Sequence, residues 1–525
     1  MGFDINEMVK SKEALRRKLA DRPIAEKLRL AEELSERALA LRPDTAPSPP
    51  DAPWPIPSHW KWKKMADVAT VVGGSTPATD HREYFGGDIP WITPADLSKY
   101  TAKTISQGAR NITQAGLDNS GARVLPAGTV LFSSRAPIGY VAIAANPVAT
   151  NQGFKSFILG EEVRPDFVYY YLQRARQLAR SLASGTTFLE ISGKKAAQIP
   201  IPVPPPDEQQ RIVAEIEKQF TRLDAGVASL KRVQTALKRN RASVLNAACE
   251  GCLVRTEAEI ARRESRSYEP AITLLSRILD ERRLDWRGAA RHREPASPHL
   301  DHLSSLPEGW TWATPDQLSE ADSNAICAGP FGTIFKAKDF RPAGVPIIFL
   351  RHVLPGRYIT QKPGFMAEAK WKELFQPYSV FGGELLVTKL GEPPGVCAIY
   401  PENAGPAMVT PDVIKLSAKA TAVLPKYLMH YFNSDTARRF ATGAAFGTTR
   451  LRLTLPIFRE MPVPLPPLAE QERIVAEVER RLSVIEELDS VVTLNLQRAK
   501  ILRQSILHRA FSGKLGASNS SNGEK

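Results

Sequence analysis

The sequence predicts an α/β protein: two similar α/β domains held apart by two long antiparallel coiled-coil helices, with a helical hairpin ahead of the first domain. Three observations carry this. Residues 201–253 align without a gap on residues 463–515, at a constant offset of 262. Each copy passes from a proline-rich run, which cannot be helical, into a long stretch without proline. Short β-branched runs bounded by Gly and Pro recur ahead of both copies, as strands do.

Taken in order, residues 5–20 and 24–41 read as two helices broken at Asp21-Arg22-Pro23, where Asp caps and Pro suits a first turn. Ile24, Leu28, Ala31, Leu34, Ala38 and Leu41 share one face, so this N-terminal helical segment, residues 1–42, needs a docking surface. Seven prolines between Pro43 and Pro57 make residues 43–53 a linker. The first domain, residues 54–200, opens on Ile56-Pro57-Ser58-His59-Trp60-Lys61-Trp62. The second, residues 304–462, opens on Leu306-Pro307-Glu308-Gly309-Trp310-Thr311-Trp312. Gly128-Thr129-Val130-Leu131-Phe132-Ser133 matches Gly383-Glu384-Leu385-Leu386-Val387-Thr388, and Gly185-Thr186-Thr187 matches Gly447-Thr448-Thr449. A helix is expected after each set of strands, over 166–182 and 426–440. Residues 254–303 form an Arg-rich connector in which Ile272, Leu274, Leu275, Ile278 and Leu279 favour an amphipathic helix. A solvated connector is preferred there over a DNA-binding element. The Ser/Asn/Gly-rich tail, residues 516–525, is expected to be disordered.

The long helices carry coiled-coil stripes. In the first copy Ile216, Leu223, Leu230, Leu237 and Val244 recur every seventh residue, with Val213, Phe220 and Val227 on the alternate position. The second has Val478, Ile485, Val492 and Ile506 against Val475, Leu482, Leu496 and Ala510. Each stripe needs a cover, and the other copy is the nearest; the alternative is that each helix packs on its own domain. From Asp207 to Cys249 such a helix spans about 64 Å. Gln234, Arg241, Asp489 and Arg503 interrupt the seam and are expected to set its register. Connectivity then makes the pair antiparallel, with the domains at opposite ends. That suits DNA half-sites about one helical turn apart, roughly 34 Å.

Composition narrows the partners. Seventy Lys and Arg against 56 acidic residues give a net charge of +14, which suits a polyanion without being specific for one. No run of 18 apolar residues and no signal-like amino terminus is present, so a cytoplasmic protein with no membrane partner is expected. Cys249 and Cys252 make a C-x-x-C, but Cys327 and Cys397 lie far off and the second copy has Phe511 and Lys514 at the matching positions. No metal is therefore expected. Catalytic motifs fail in the same way. Asn146-Pro147-Val148 and Glu392-Pro393-Pro394-Gly395 are not an adenine-methyltransferase motif, and Gly193-Lys194-Lys195 is not a phosphate-binding loop. Glu368-Ala369-Lys370 lacks the acidic partner of a nuclease site. No catalytic residue is assigned.

The proline-rich leads into Glu208-Gln209-Gln210-Arg211-Ile212 and Glu470-Gln471-Glu472-Arg473-Ile474, the Gly-Thr-Thr segments and the Trp60 and Trp310 openings resemble the DNA specificity (S) subunit of type I restriction-modification enzymes. The resemblance covers residues 54–515. It implies two target recognition domains, each reading one half of a bipartite asymmetric sequence in double-stranded DNA, and helices that act as spacer and as platform for two methyltransferase (M) subunits. It implies S-adenosylmethionine in the M subunits, ATP and Mg in partner restriction (R) subunits, and no cofactor on this chain. The N-terminal segment departs from the simplest pattern and is expected to dock on an M subunit.

DNA contacts are named by residue type and loop position. In the first domain they are Arg82, Thr93, Lys99, Ser133, Ser134, Arg135, Asn151, Gln152 and Lys155; in the second, Lys336, Lys338, Arg351, His352, Thr388, Lys389 and Thr410. Thr186, Thr187, Thr448 and Thr449 are candidates for phosphate. For each of these an ordinary surface or turn role is the alternative. Two rival functions stand beside the reading: a tether that bridges protein partners, and a self-sufficient enzyme with a cryptic site.

Overall fold

A computed structural model describes residues 53–135, 137–185, 189–287, 291–299, 303–330, 335–391, 393–444 and 451–515. The N-terminal hairpin, all but the last residue of the proline linker, the tail, and Thr186, Thr187, Thr448 and Thr449 lie outside them. The described chain forms two units. One comprises the residues up to Ala228 together with those from Leu496 onward; the other is Ser229–Asn495.

The first unit is built on a five-stranded sheet ordered Ala69–Gly73, Lys155–Leu159, Val130–Phe132, Val141–Ala144 and Thr104–Ile105. Phe132, Phe154 and Phe157 are fully buried around it. A smaller sheet places Phe85–Ile92 between Arg110–Ile112 and Ala149–Thr150. The helix expected over 166–182 is two helices, Pro165–Arg174 and Arg176–Ser181. The second unit holds a four-stranded sheet (Ile326–Ala328, Val413–Leu416, Leu385–Thr388, Cys397–Ile399) and a mixed five-stranded one. Its helix over 426–440 is likewise broken, into Pro425–Phe432 and Asp435–Ala444. The connector is folded onto this unit. Ala271–Leu284 buries Leu274, Leu275 and Ile278, although Ile272 is exposed. The Arg282 guanidinium donates to the Asp316 and Ser319 carbonyls at 2.6 and 2.9 Å. Other arginines of the connector meet acids, as in Arg277 with Glu269 and Glu281 and Arg283 with Asp280 and Glu294.

How a domain hands over to its helix is the same in both units. Lys61–Lys64 pairs antiparallel with Pro200–Val203, and Thr311–Ala313 with Val463–Leu465, so the proline run is an edge strand pinned by the Trp-containing opening. Then comes a buried glutamine. Gln209 accepts from the Arg164 amide at 2.9 Å and donates to the Glu162 and Pro204 carbonyls at 2.8 and 3.0 Å. Gln471 accepts from the Leu424 amide at 2.9 Å and donates to the Ala422 and Pro466 carbonyls at 3.1 and 3.0 Å. Each amide satisfies three backbone groups that burial would otherwise strand.

The helices run Pro206–Cys249 and Leu468–Phe511, 44 residues each. In the first unit Val213, Ile216 and Phe220 share one core with Ile506, Leu507, Ala510 and Phe511. Arg503 lies over Phe220 at 4.0 Å and reaches Asp224 at 2.7 Å. In the second, Gln234 meets Asp489 at 3.4 Å and Arg241 meets Glu486 at 2.9 Å. Partner numbers fall on one helix as they rise on the other, so the helices run antiparallel. The polar seam residues meet polar partners across the pair. Leu237, Val244, Val475, Val478, Leu482, Ile485 and Val492 are buried, whereas Leu223, Val227, Leu230 and Leu496 are half-buried. Either unit therefore contains the start of one long helix and the end of the other.

Both helices stop on the same device. Gly251 and Gly513 have φ of 69° and 70°, and the next amide reaches back to Ala247 at 2.9 Å or Arg509 at 2.8 Å. A Cβ on either glycine would strike Pro307 or Pro57, at 2.3 and 2.1 Å. The C-x-x-C is thus part of a helix stop: Cys249 is buried and Cys252 exposed. Burial pushes the Cys249 thiol up to about 12 and the Cys327 thiol to about 11, and Cys397 well above its ordinary value. With iodoacetamide on the native protein at pH 8, Cys252 is expected to label and these three to stay unmodified, because the thiolate is the nucleophile. Peptide mass mapping reads this; rapid labelling of Cys249 would contradict the helix-end packing.

Candidate nucleic-acid interface

In each domain three separate segments are laced together at the end of a central strand. Val130–Phe132 runs into Ser134, whose amide donates to Gly153 at 2.7 Å and whose carbonyl accepts from Ile191 at 3.0 Å. Leu385–Thr388 runs into Lys389, whose amide donates to Asp412 at 2.8 Å and whose carbonyl accepts from Leu453 at 2.8 Å. Ser134 and Lys389 are thus equivalent positions on one backbone frame. The adjoining bridges are Arg135 with Glu190 and Leu390 with Arg452. This convergence brings Ser133, Ser134, Arg135, Asn151, Gln152 and Lys155 together in the first domain, and Thr388, Lys389 and Thr410 in the second.

Several of these are structural, against expectation. Ser133 is fully buried: its hydroxyl donates to the Pro137 carbonyl at 2.7 Å and accepts from the Tyr140 amide at 2.8 Å. Thr388 accepts from the Val396 amide at 3.0 Å in the matching turn. Both hydroxyls hold a strand-connecting turn closed and face away from solvent. Ser134 is also fully buried, so a duplex cannot reach it. His352 is 1% exposed, with Nε2 at 2.9 Å from the Gln361 carbonyl and Nδ1 accepting from the Phe349 amide at 3.3 Å. Burial lowers its pKa. Lys389 is 6% exposed; burial and then the neighbouring Arg452 lower its pKa, while Asp412 opposes them.

Charge pairing changes others. Glu190 lies 3.9 Å from Arg135 and 3.6 Å from Lys155, so one carboxylate offsets two candidate cations. Thr93 is a turn residue, its amide and hydroxyl both 2.7 Å from the Asp96 carboxylate. Asn151 accepts from the Gly153 amide at 2.9 Å, and Gln152 accepts from the Thr76 hydroxyl. Thr410 donates to the Ile348 carbonyl at 2.8 Å. Arg351 is exposed, stacked over Phe349 at 4.1 Å and tied to the Lys362 carbonyl at 2.8 Å. With Thr410 and Asp412 it lines a cavity of about 560 Å³. Arg82, Lys99, Gln152, Lys336 and Lys338 are exposed. The Glu368 and Lys370 of the nuclease-like triplet are engaged elsewhere, Lys370 with Asp339 at 2.6 Å and Glu368 with Lys372 at 2.7 Å.

Sequence reasoning missed Arg110, stacked over Phe85 at 4.4 Å, and Arg452. Neither sits in a motif; only the fold brings them to these places. Among the described residues no group of three or more His, Cys, Asp or Glu could hold a metal ion, and no helix is long and apolar enough to cross a membrane.

Comparison with known proteins adds an independent line. The family model for the type I restriction modification DNA specificity domain matches residues 57–235 and 354–487, more than half of the chain. The chain is 46% identical over 159 residues to the type I restriction enzyme MjaIX specificity subunit of Methanocaldococcus jannaschii, a stretch that is 30% of this chain and 37% of that protein. It is 22% identical over 478 residues to the EcoKI specificity subunit of Escherichia coli, covering 88% of this chain and 90% of that one. Among solved structures, a chain from a study of complex assembly and conformational transition in the type I R-M system superposes with a TM-score of 0.62 at 17% identity. That match covers 88% of this chain and all of the other, and it shows a shared fold.

Proposed function

Because the chain belongs to the DNA specificity subunits of type I restriction-modification systems, we propose that its two domains read the two halves of a bipartite, asymmetric target in double-stranded DNA. The long helices set the gap between the halves and dock two methyltransferase subunits. Catalysis resides in those partners, which bind S-adenosylmethionine, and in restriction subunits, which use ATP and Mg. The chain itself supplies recognition and no catalytic group.

The observation that supports this most is a common frame carrying different chemistry. Gln209 and Gln471 clamp the two helix starts in the same way, and Ser134 and Lys389 occupy the same backbone position. That position is buried, and the residues bridged beside it differ in charge, Glu190 in the first domain and Arg452 in the second. Two readers of unlike sequences on one scaffold need that combination. Exchanging residues 54–200 for the corresponding domain of another specificity subunit is expected to change one half of the methylated sequence and leave the other half and the gap intact. Methylation-sensitive sequencing of a host expressing the chimaera with its methyltransferase partners checks this. A change in both halves, or in neither, contradicts it; a mere tether would show no salt-dependent DNA binding even with those partners present.

A further inference from the structure

The small sheet of the first domain has one end where three backbone segments meet. Phe85–Ile92 and Ala149–Thr150 run parallel, with Trp91 opposite Ala149, so their C-terminal ends adjoin and continue into Thr93 and Asn151. Arg110–Ile112 runs antiparallel on the other side, with Arg110 itself opposite Trp91. Arg110 is therefore two strand spacings, about 10 Å, from Ala149 and starts its strand at the end where Asn151 and Gln152 follow Thr150.

Five cations of this domain are held by acids: Arg135 and Lys155 by Glu190, Lys63 by Glu162, Lys103 by Glu217, Arg164 by Asp166. The Arg110 side chain is exposed and makes no hydrogen bond or ion pair among the described residues. Its guanidinium instead lies over the Phe85 ring at 4.4 Å, and Phe85 packs edge-on to the buried Trp91 at 6.0 Å. A stacked guanidinium keeps its plane and its forked donors while losing little further freedom on binding.

The surroundings form a concave shelf. Gly86, Gly87, Gln107, Gly108 and Asn111 line with Arg110 a cavity of about 460 Å³. Its floor is rigid. The Asp96 carboxylate accepts from the Ala109 amide at 2.8 Å and holds Thr93 on its other oxygen. A Cβ on Gly108 would come within 2.7 Å of the Trp91 carbonyl and 2.8 Å of Asp96. The shelf thus offers one pre-oriented fork flanked by two uncharged amides, the set that reads base edges: Arg bidentate to guanine O6 and N7, Asn or Gln to adenine. A phosphate site would gather further cations or amide N–H groups.

Resting on the reading of the chain as a DNA specificity subunit, we propose that Arg110 reads a guanine in the half-site addressed by the first domain. The test uses the full chain assembled with its methyltransferase partners, at one fixed salt concentration, against duplexes in which each base pair of the target is varied in turn. Arg110→Ala is expected to weaken binding to the intact target about 10- to 100-fold and to abolish discrimination at one G·C pair of that half-site, with discrimination in the other half unchanged. Arg110→Lys keeps the charge without the fork; it is expected to lose the same discrimination with a smaller loss of affinity. Retained selectivity in the other half shows that both variants are folded. Uniform weakening on all sequences with a shallower salt dependence would mark a phosphate contact and overturn the proposal, as would unchanged selectivity. A wild-type complex that preferred no sequence would instead sink the specificity-subunit reading, and this inference with it.

Discussion

Phe511→Ala is expected to cost about 3–5 kcal/mol in the stability of the first unit, the largest single effect foreseen for this chain. The side chain is fully buried although it ends a helix. Its ring meets Phe167 and Tyr171 edge-on, with centroids at 5.2 and 5.3 Å, and its carbonyl accepts from the Trp54 indole at 2.9 Å. Truncation leaves a cavity between two aromatic rings and frees the last turns of the helix from the domain it closes on. Hydrogen exchange in Pro165–Arg174 should accelerate by about two to three orders of magnitude. Leu502→Ala, at a half-exposed position of the same helix, should change little, within about 0.5 kcal/mol. Equal exchange rates in the two variants would mean that the helix end is not an anchor.

Acidification should weaken the second unit through His430. This imidazole is 7% exposed, and burial brings its pKa down to about 4, with Glu479 opposing and Arg241 and Lys426 reinforcing the shift. A folded pKa below the ordinary 6.5 means that the unfolded chain takes up the proton first. The stabilising contribution is thus complete above about pH 6.5 and is lost as pH falls towards 4. The loss amounts to about 2 kcal/mol by pH 5 and about 3 kcal/mol by pH 4. Denaturant midpoints of wild type and His430→Gln at pH 7 and pH 5 isolate this group from the carboxylates common to both. If the variant loses as much as the wild type over that interval, His430 is not the cause.

The clamp at each helix start shows how far local sequence reaches. Glu-Gln after a proline run was visible as a repeat, and its position told where a helix begins. That Gln209 and Gln471 bridge three separate backbone groups was not visible, because the partners lie 45 to 49 residues away or across a turn. The recognition surface was less legible still. Ser133, Ser134 and Thr388 have the residue types of base-reading groups, yet all three are buried. Arg135 and Lys155 have the right charge, yet Glu190 reaches them from a segment 35 or more residues away.

By itself the sequence determined the doubled domain-plus-helix plan, the seam of the long helices and the family resemblance. These rest on periodicity, proline placement and internal repetition, which are properties of neighbouring residues. Tertiary structure alone decided which side chains are buried in turns and which cations an acid from elsewhere in the chain offsets. Burial and charge compensation are set by residues distant in the chain, and no local pattern records which acid will meet which base.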